Sequence, residues 1–235
     1  MTGDGVRMSG DGPARLEVDS VVVTFGGVRA VDGAGLVAEP GAIVGLIGAN
    51  GSGKTTLLRC LAGAYAPDEG FVEVNGRVAS LLDLSMGIDA SATGLENIRL
   101  RGLVAGLTPK EIAAKTDEIA DFSGLGPFLA MPMKTYSSGM QARLAFATAT
   151  SVEAEVLLMD EWIAVGDAGF RAQAQERLTS MLERAHILVI ASHEPSLVRS
   201  ICNKVLRMDH GQASEVVDIV DMDELMARPA PGSTL

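Results

Sequence analysis

Apolar positions recur along this chain with two different periods. From Leu16 to Phe25 they alternate with polar ones and the run stops at Gly26-Gly27, which predicts a half-buried strand closed by a turn. Ala42 to Ile47 is a continuous apolar run, the pattern of a strand covered on both faces, and a glycine-rich stretch leads from it into helically spaced Lys54 to Ala62. A β-rich stretch, Phe71 to Leu82, follows the turn at Pro67 to Gly70. From Leu95 to Leu129 the period is helical, with Pro109 and Glu111 marking a helix start and Gly124 to Pro127 a stop. The rest alternates: helix Ser138 to Thr150, strand Glu155 to Met159, helix Phe170 to Arg184, strand His186 to Ala191, helix Pro195 to Cys202, strand Lys204 to Met208. Such alternation predicts an α/β fold with a mainly parallel sheet carrying helices on its faces. Residues 15–227 read as one domain with a helical subdomain over about 90–150, between a flexible N-terminus (1–14) and a flexible tail (228–235). The acidic segment Glu215 to Met226 is compatible with a helix.

Composition narrows the setting. Apolar residues make up 47% of the 235, yet their runs are strand-sized and far short of the ~20 residues that span a bilayer. The first residues lack the apolar core of a secretory signal, so a cytoplasmic location is expected. Two cysteines, Cys60 and Cys202, fall on segments expected to be buried, which suits a reducing compartment and small core roles. The net charge of −11 argues against a broad basic face, so nucleic acid is not an expected partner and membrane contact should run through a protein.

The chemistry concentrates at Gly48-Ala49-Asn50-Gly51-Ser52-Gly53-Lys54-Thr55, which fits G-x-x-x-x-G-K-S/T at every fixed position and continues into Thr56. It lies between a predicted strand and a predicted helix, as a phosphate loop must. The glycines let backbone N–H groups turn inward around a β-phosphate, and the helix N-terminus adds partial positive charge. Lys54 is expected on the β- and γ-phosphates and the Thr55 hydroxyl on Mg²⁺. Val156 to Met159 then delivers Asp160 and Glu161 at the carboxyl end of a buried strand, where ligands of open α/β sheets bind. Asp160 is expected to bind Mg²⁺ through water, and Glu161 to act as general base on the attacking water. A nucleotide bearing a β- and a γ-phosphate, with Mg²⁺, is thus the expected ligand, and the resemblance described next implies that it is ATP.

At Tyr136-Ser137-Ser138-Gly139-Met140-Gln141-Ala142-Arg143-Leu144 the chain resembles the signature sequence of ATP-binding cassette (ABC) proteins, opening a helix just upstream of the Asp-Glu strand. The resemblance implies the ABC ATPase fold: a P-loop NTPase core, an antiparallel β subdomain and a helical subdomain. It also implies a head-to-tail homodimer sandwiching two ATP molecules, with Ser137, Ser138, Gly139 and Met140 gripping the γ-phosphate held by the partner. Phe25 then looks like the aromatic that stacks on adenine, Asp167 like the interface loop, and His193 like the switch histidine that works with Glu161. His186 and His210 have no such placement.

Two departures narrow the branch. The usual signature reads Leu-Ser-Gly-Gly-Gln, and the usual loop glutamine is replaced by Asp83, a carboxylate that could still meet Mg²⁺ directly or through water. Together with Thr93-Gly94-Leu95-Glu96-Asn97-Ile98 and the run from Asp160 to Phe170, they resemble the nucleotide-binding subunits of bacterial polysaccharide exporters for O-antigen, teichoic acid, capsule or galactan. That implies a separate, dimeric transmembrane permease carrying a lipid-linked glycan, a peripheral location on the cytoplasmic side of the inner membrane, and no appended C-terminal sugar-binding domain. The helical lobe and the loop from Asp83 to Ser91 would pass motion to the permease. Competing readings are an importer or drug-exporter ATPase, a soluble cassette acting on ribosomes or DNA, and a P-loop kinase, the last disfavoured by the signature helix and His193.

Overall fold

The computed structural model describes residues 5–9, 12–84, 87–161 and 168–231. In chain order its elements are β1 (Val6–Ser9), β2 (Arg15–Phe25), β3 (Val28–Ala38), β4 (Ile43–Ile47), α1 (Lys54–Leu61), β5 (Glu69–Asn75), β6 (Val78–Leu81), α2 (Gly94–Val104), α3 (Pro109–Ser123), α4 (Ser138–Ala149), β7 (Val156–Asp160), α5 (Ala168–Arg184), β8 (Ile187–Ser192), α6 (Pro195–Ile201), β9 (Lys204–Asp209), β10 (Gln212–Ala213), β11 (Val217–Asp218) and α7 (Met222–Ala227). They fall into two compact units, one of Met1–Leu82, Ala154–Trp162 and Ala185–Leu235, the other of Asp83–Glu153 and Ile163–Arg184.

The first unit holds two sheets. One runs β1-β5-β2-β3, with β2 antiparallel to both β3 and β5. The other runs β10-β9-β4-β8-β7-β6, in which β9, β4, β8, β7 and β6 are mutually parallel and β10 and β11 pair antiparallel with β9. The expected mainly parallel sheet and antiparallel β subdomain are both present. β4 and β8 are apolar nearly throughout because they lie inside the sheet with both faces covered. Leu46, Leu57, Leu58, Val72, Val156, Leu158, Val189 and Leu206 share the core of this unit. The parallel register pairs Ile47 with Ser192 and Asp160 with Ala191, so the carboxyl ends of β4, β7 and β8 stand level. That alignment is what positions the site.

The second unit is helical. α2 and α3 each begin with a capping box, Thr93 with Glu96 and Thr108 with Glu111, and Pro109 occupies the first turn of α3. Gly124, with φ +64°, ends α3 in the left-handed conformation that a glycine accepts without penalty. Ile98, Ile119, Leu125, Leu129, Met133, Tyr136 and Leu144 form its core. Phe122, Phe146 and Phe170 pack with ring centroids 5.5–6.2 Å apart.

Three expectations change. Val6–Ser9, read as part of a flexible terminus, pairs parallel with β5. Val28–Ala38, not predicted at all, is an eleven-residue strand. The stretch Phe71 to Leu82 divides at Gly76 (φ +112°) into β5 and β6, which belong to different sheets. The acidic segment from Glu215 is tied down by ion pairs, Lys204 to Asp218 at 3.0 Å and Arg228 to Glu215 at 2.7 Å, before it enters α7. Among the described residues no helix is long and apolar enough to cross a membrane.

Candidate functional site

The loop after β4 has its shape imposed by close neighbours. A Cβ on Gly48 would collide with the Met208 carbonyl oxygen and lie 2.6 Å from Ser52 Oγ, and one on Gly53 (φ +103°) would collide with the Ala30 carbonyl oxygen. No side chain fits at either position. Gly51 (φ +80°) instead faces open space, so backbone there is accessible to a ligand. Ser52 is buried and its Oγ has no hydrogen-bond partner among the described residues, an unmet polar group of the kind a bound oxyanion satisfies.

Lys54 opens α1 and is buried, 8% exposed. Its Nζ donates to the carbonyls of Gly48 at 2.8 Å and Ala49 at 2.9 Å, closing the loop on itself. Burial pushes its pKa down, while the nearby charges of Asp160 and Glu161 oppose that shift. One residue on, Thr55 Oγ1 donates to Asp160 Oδ2 at 2.6 Å, joining α1 to the end of β7. A hydroxyl beside a carboxylate is the hard oxygen donor set that suits a small divalent cation completed by phosphate and water.

Glu161 follows with φ +66°, a conformation uncommon outside glycine, and its N–H is fixed by the Ala191 carbonyl at 2.8 Å. Its Oε1 lies 2.6 Å from His193 Nδ1. His193 is carried on a turn held by the Glu194 N–H donating to buried Ser192 Oγ at 3.0 Å. A cleft of about 570 Å³ is lined by Ala30, Asn50 and Gly51, by Gly53 to Thr56, and by Leu82, Asp160 and Glu161, within the usual size for a small-molecule site. The structure therefore brings together the loop, Thr55, Asp160 and Glu161, with His193 bonded to Glu161.

Phe25, half exposed at 49%, meets Tyr65 edge to face with centroids 5.5 Å apart. Arg59 lies over the Tyr65 ring at 5.6 Å and donates to its hydroxyl at 3.3 Å. Sequence reasoning missed Tyr65. The available signal was its rarity, one of two tyrosines, two residues before the Pro67 turn.

The signature residues belong to the helical unit. Ser137 caps α4 by accepting from the Met140 N–H at 3.2 Å, so its hydroxyl already has a local task. Ser137, Ser138 and Gly139 are exposed, and Met140 packs partly onto the helical core. Asp83 also lies in this unit, where its charge supports the protonated form of buried Arg101 against desolvation. Asp167 lies outside the described residues.

The family model described as ABC transporter matches residues 31–164. The O-antigen export system ATP-binding protein RfbE of Yersinia enterocolitica is 42% identical over 184 residues, covering 78% of this chain and 77% of that protein. The protein of the same description, RfbB, from Myxococcus xanthus is 40% identical over 80% of this chain, which spans 43% of its length. The teichoic acids export ATP-binding protein TagH of Bacillus anthracis is 40% identical over 77% of this chain, which spans 33% of its length. Among solved structures, an ATP-binding subunit of an ABC transporter shares the fold with TM-score 0.71 at 21% identity, over 92% of this chain and 95% of that one. So does a dimeric ATP-binding cassette in a post-hydrolysis state bound to ADP and Pi, with TM-score 0.67 at 19% identity, over 87% and 98%. With the phosphate loop, the Asp-Glu strand end and the histidine that follows β8 arranged as described, and the family model covering more than half its length, the chain belongs to the ABC transporter family as an ATPase subunit.

Proposed function

We propose that this chain binds ATP with Mg²⁺ and hydrolyses it to drive export of a lipid-linked polysaccharide through a separate, dimeric membrane permease. The observation that carries the hydrolytic part is the Glu161–His193 contact at 2.6 Å beside the Lys54 loop. Thr55 Oγ1 and Asp160 would hold Mg²⁺. When bound, the ion neutralises phosphate charge that develops during transfer.

Lys54 binds the β- and γ-phosphates, and the backbone N–H groups of Gly48 to Thr56 wrap them. Glu161 takes the proton of the attacking water, with its carboxylate aimed by His193. Phe25 stacks on adenine. Ser138, Gly139 and the first-turn N–H groups of α4, with Ser137 and Met140 shaping that turn, meet the γ-phosphate held by a second copy of the chain. Two ATP molecules would close that homodimer, and hydrolysis would release it. The polysaccharide cargo is supported by the likeness to RfbE over most of both chains. On this reading the chain works at the cytoplasmic face of the inner membrane, and the permease handles the glycan.

In a strain deleted for this gene and supplied with Glu161→Gln, lipid-linked glycan should accumulate inside the cell while surface glycan disappears. Surface glycan at the normal level would overturn the export reading. Wild-type turnover by purified Glu161→Gln would overturn the hydrolytic one.

A further inference from the structure

Two polar side chains buried on one face of α2 have no part in the chemistry above. Asn97 is 0% and Arg101 8% exposed, and they stand four residues apart, one turn along the same face. Burying an amide and a guanidinium is costly unless each is bonded, so their partners show what they are for. Asn97 Nδ2 donates to the carbonyls of Asp89 at 2.8 Å, Thr93 at 3.0 Å and Ala92 at 3.3 Å, and its Oδ1 accepts from the Asp89 N–H at 2.8 Å. Arg101 donates to the Leu84 carbonyl and, through Nη2 at 3.4 Å, to the Ala145 carbonyl of α4, while Asp83 offsets its charge. One face of α2 therefore grips both ends of the segment that starts at Asp83.

That segment is in turn bonded to the approach of the signature. The Lys134 N–H donates to the Ala90 carbonyl at 2.8 Å, Met133 N–H to Ala92 at 2.9 Å, and Gly94 N–H to Met131 at 3.3 Å. Tyr136 then bonds back to Met133 through its N–H at 3.0 Å and to the Phe128 carbonyl through its hydroxyl at 2.7 Å. Gly94 leaves no room for a side chain against that hydroxyl. Ser137 follows immediately.

We infer that Asn97 and Arg101 are positioning residues that fasten Asp83–Leu84, Asp89–Thr93 and the signature start, Tyr136 to Gly139, into one body. Closure of the ATP dimer depends on them although neither touches nucleotide. The inference rests on the proposed role of Ser138 and Gly139 as a grip on the partner's ATP. In it, displacement at Asp83 and Leu84 is delivered to the signature helix through Arg101, which bonds both Leu84 and Ala145.

The test uses the whole chain carrying Glu161→Gln, with ATP-dependent dimerisation followed by sedimentation and amide exchange followed over residues 131–141. Adding Asn97→Ala or Arg101→Met should raise the ATP concentration for half-maximal dimerisation on the order of tenfold, the scale of an ordinary coupling between sites. Binding of a fluorescent ATP analogue to the monomer should stay within about twofold, since such a change is small against that coupling. Exchange should quicken at Met133 and Lys134 and stay unchanged in α3. Arg101→Lys, which keeps the charge and loses the fork, should fall between parent and Arg101→Met and guards against a variant that fails to fold. Unchanged dimerisation in both variants, or exchange quickening equally through α3, overturns the inference. If the Glu161→Gln parent itself stays monomeric with ATP, the sandwich reading fails and the exchange pattern alone decides the fastening.

Discussion

Glu161 sits with φ +66° in the left-handed region, and replacing it offers a direct measure of strain held at the proposed general base. A non-glycine residue pays about 1–2 kcal/mol for that conformation. Glycine avoids the cost and loses about 0.5–1 kcal/mol more chain entropy on folding than alanine does. Glu161→Gly and Glu161→Ala both delete the contact with His193, so that loss cancels when the two are compared. Glycine should come out more stable by about 1 kcal/mol, the reverse of the ranking inside a helix. For a chain of this size, that corresponds to a melting temperature higher by roughly 2–4 °C. Urea unfolding followed by circular dichroism gives the difference, provided both variants unfold in one transition. Both should also be inactive. If Glu161→Gly is no more stable than Glu161→Ala, the left-handed conformation is not a cost imposed on Glu161 and the reasoning fails.

Lys54→Ala should abolish phosphate release while the chain stays folded, because the lost bonds go to two loop carbonyls and not to the core; normal turnover would remove Lys54 from the chemistry. Tyr65→Ala should weaken binding of a fluorescent ATP analogue several-fold by freeing the Phe25 ring, on the ~0.5–1.5 kcal/mol scale of an aromatic pair, whereas Tyr65→Phe should bind nearly as wild type. Equal loss in both Tyr65 variants would assign the effect to the Arg59 bond instead. Burial pushes the Cys60 thiol up to about 11 and the Cys202 thiol up to about 12, so both should resist iodoacetamide at pH 8 until the chain unfolds. Because both values rise from 9.0, their contribution to stability is intact below about pH 9 and declines as pH climbs toward the folded values, which base titration of unfolding would show.

The parallel half of the fold was legible because its strands are short apolar runs bounded by helices of clear period, and β4, β7 and β8 stand within a residue or so of expectation. β3 was not, since Asp32, Gly33 and Gly35 interrupt its alternation; pairing with β2 along nearly its whole length overrides those weak local preferences. β1 escaped notice for a related reason. Only four residues long, it is fixed by hydrogen bonds to β5, a partner more than sixty positions away. At the site, fixed spacing gave the loop and the Asp-Glu pair, but the Thr55–Asp160 bond joins residues 105 positions apart and needed the fold. Asn97 and Arg101 were readable as helix residues and nothing more, because a polar side chain on α2 shows its burial only once the segment it holds is in place.

The bonds at the site also separate the demands of binding from those of hydrolysis. An ammonium has three donors, and Lys54 spends two of them on Gly48 and Ala49. The third can meet a phosphate oxygen while both loop bonds persist, so the loop keeps its shape on binding and little ordering cost remains to be met. His193 is arranged differently. With Nδ1–H donating to the Glu161 carboxylate, a neutral ring presents Nε2 as an acceptor, which repels a phosphate oxygen. Gripping the γ-phosphate through Nε2 therefore requires either a doubly protonated ring or exchange of the Glu161 bond. Either change also alters the carboxylate proposed to take the water's proton. On the proposed roles of Glu161 and His193, binding can thus proceed on a preformed loop while hydrolysis waits on a rearrangement of that pair, and the proposed second subunit or permease would exert control there with least effort.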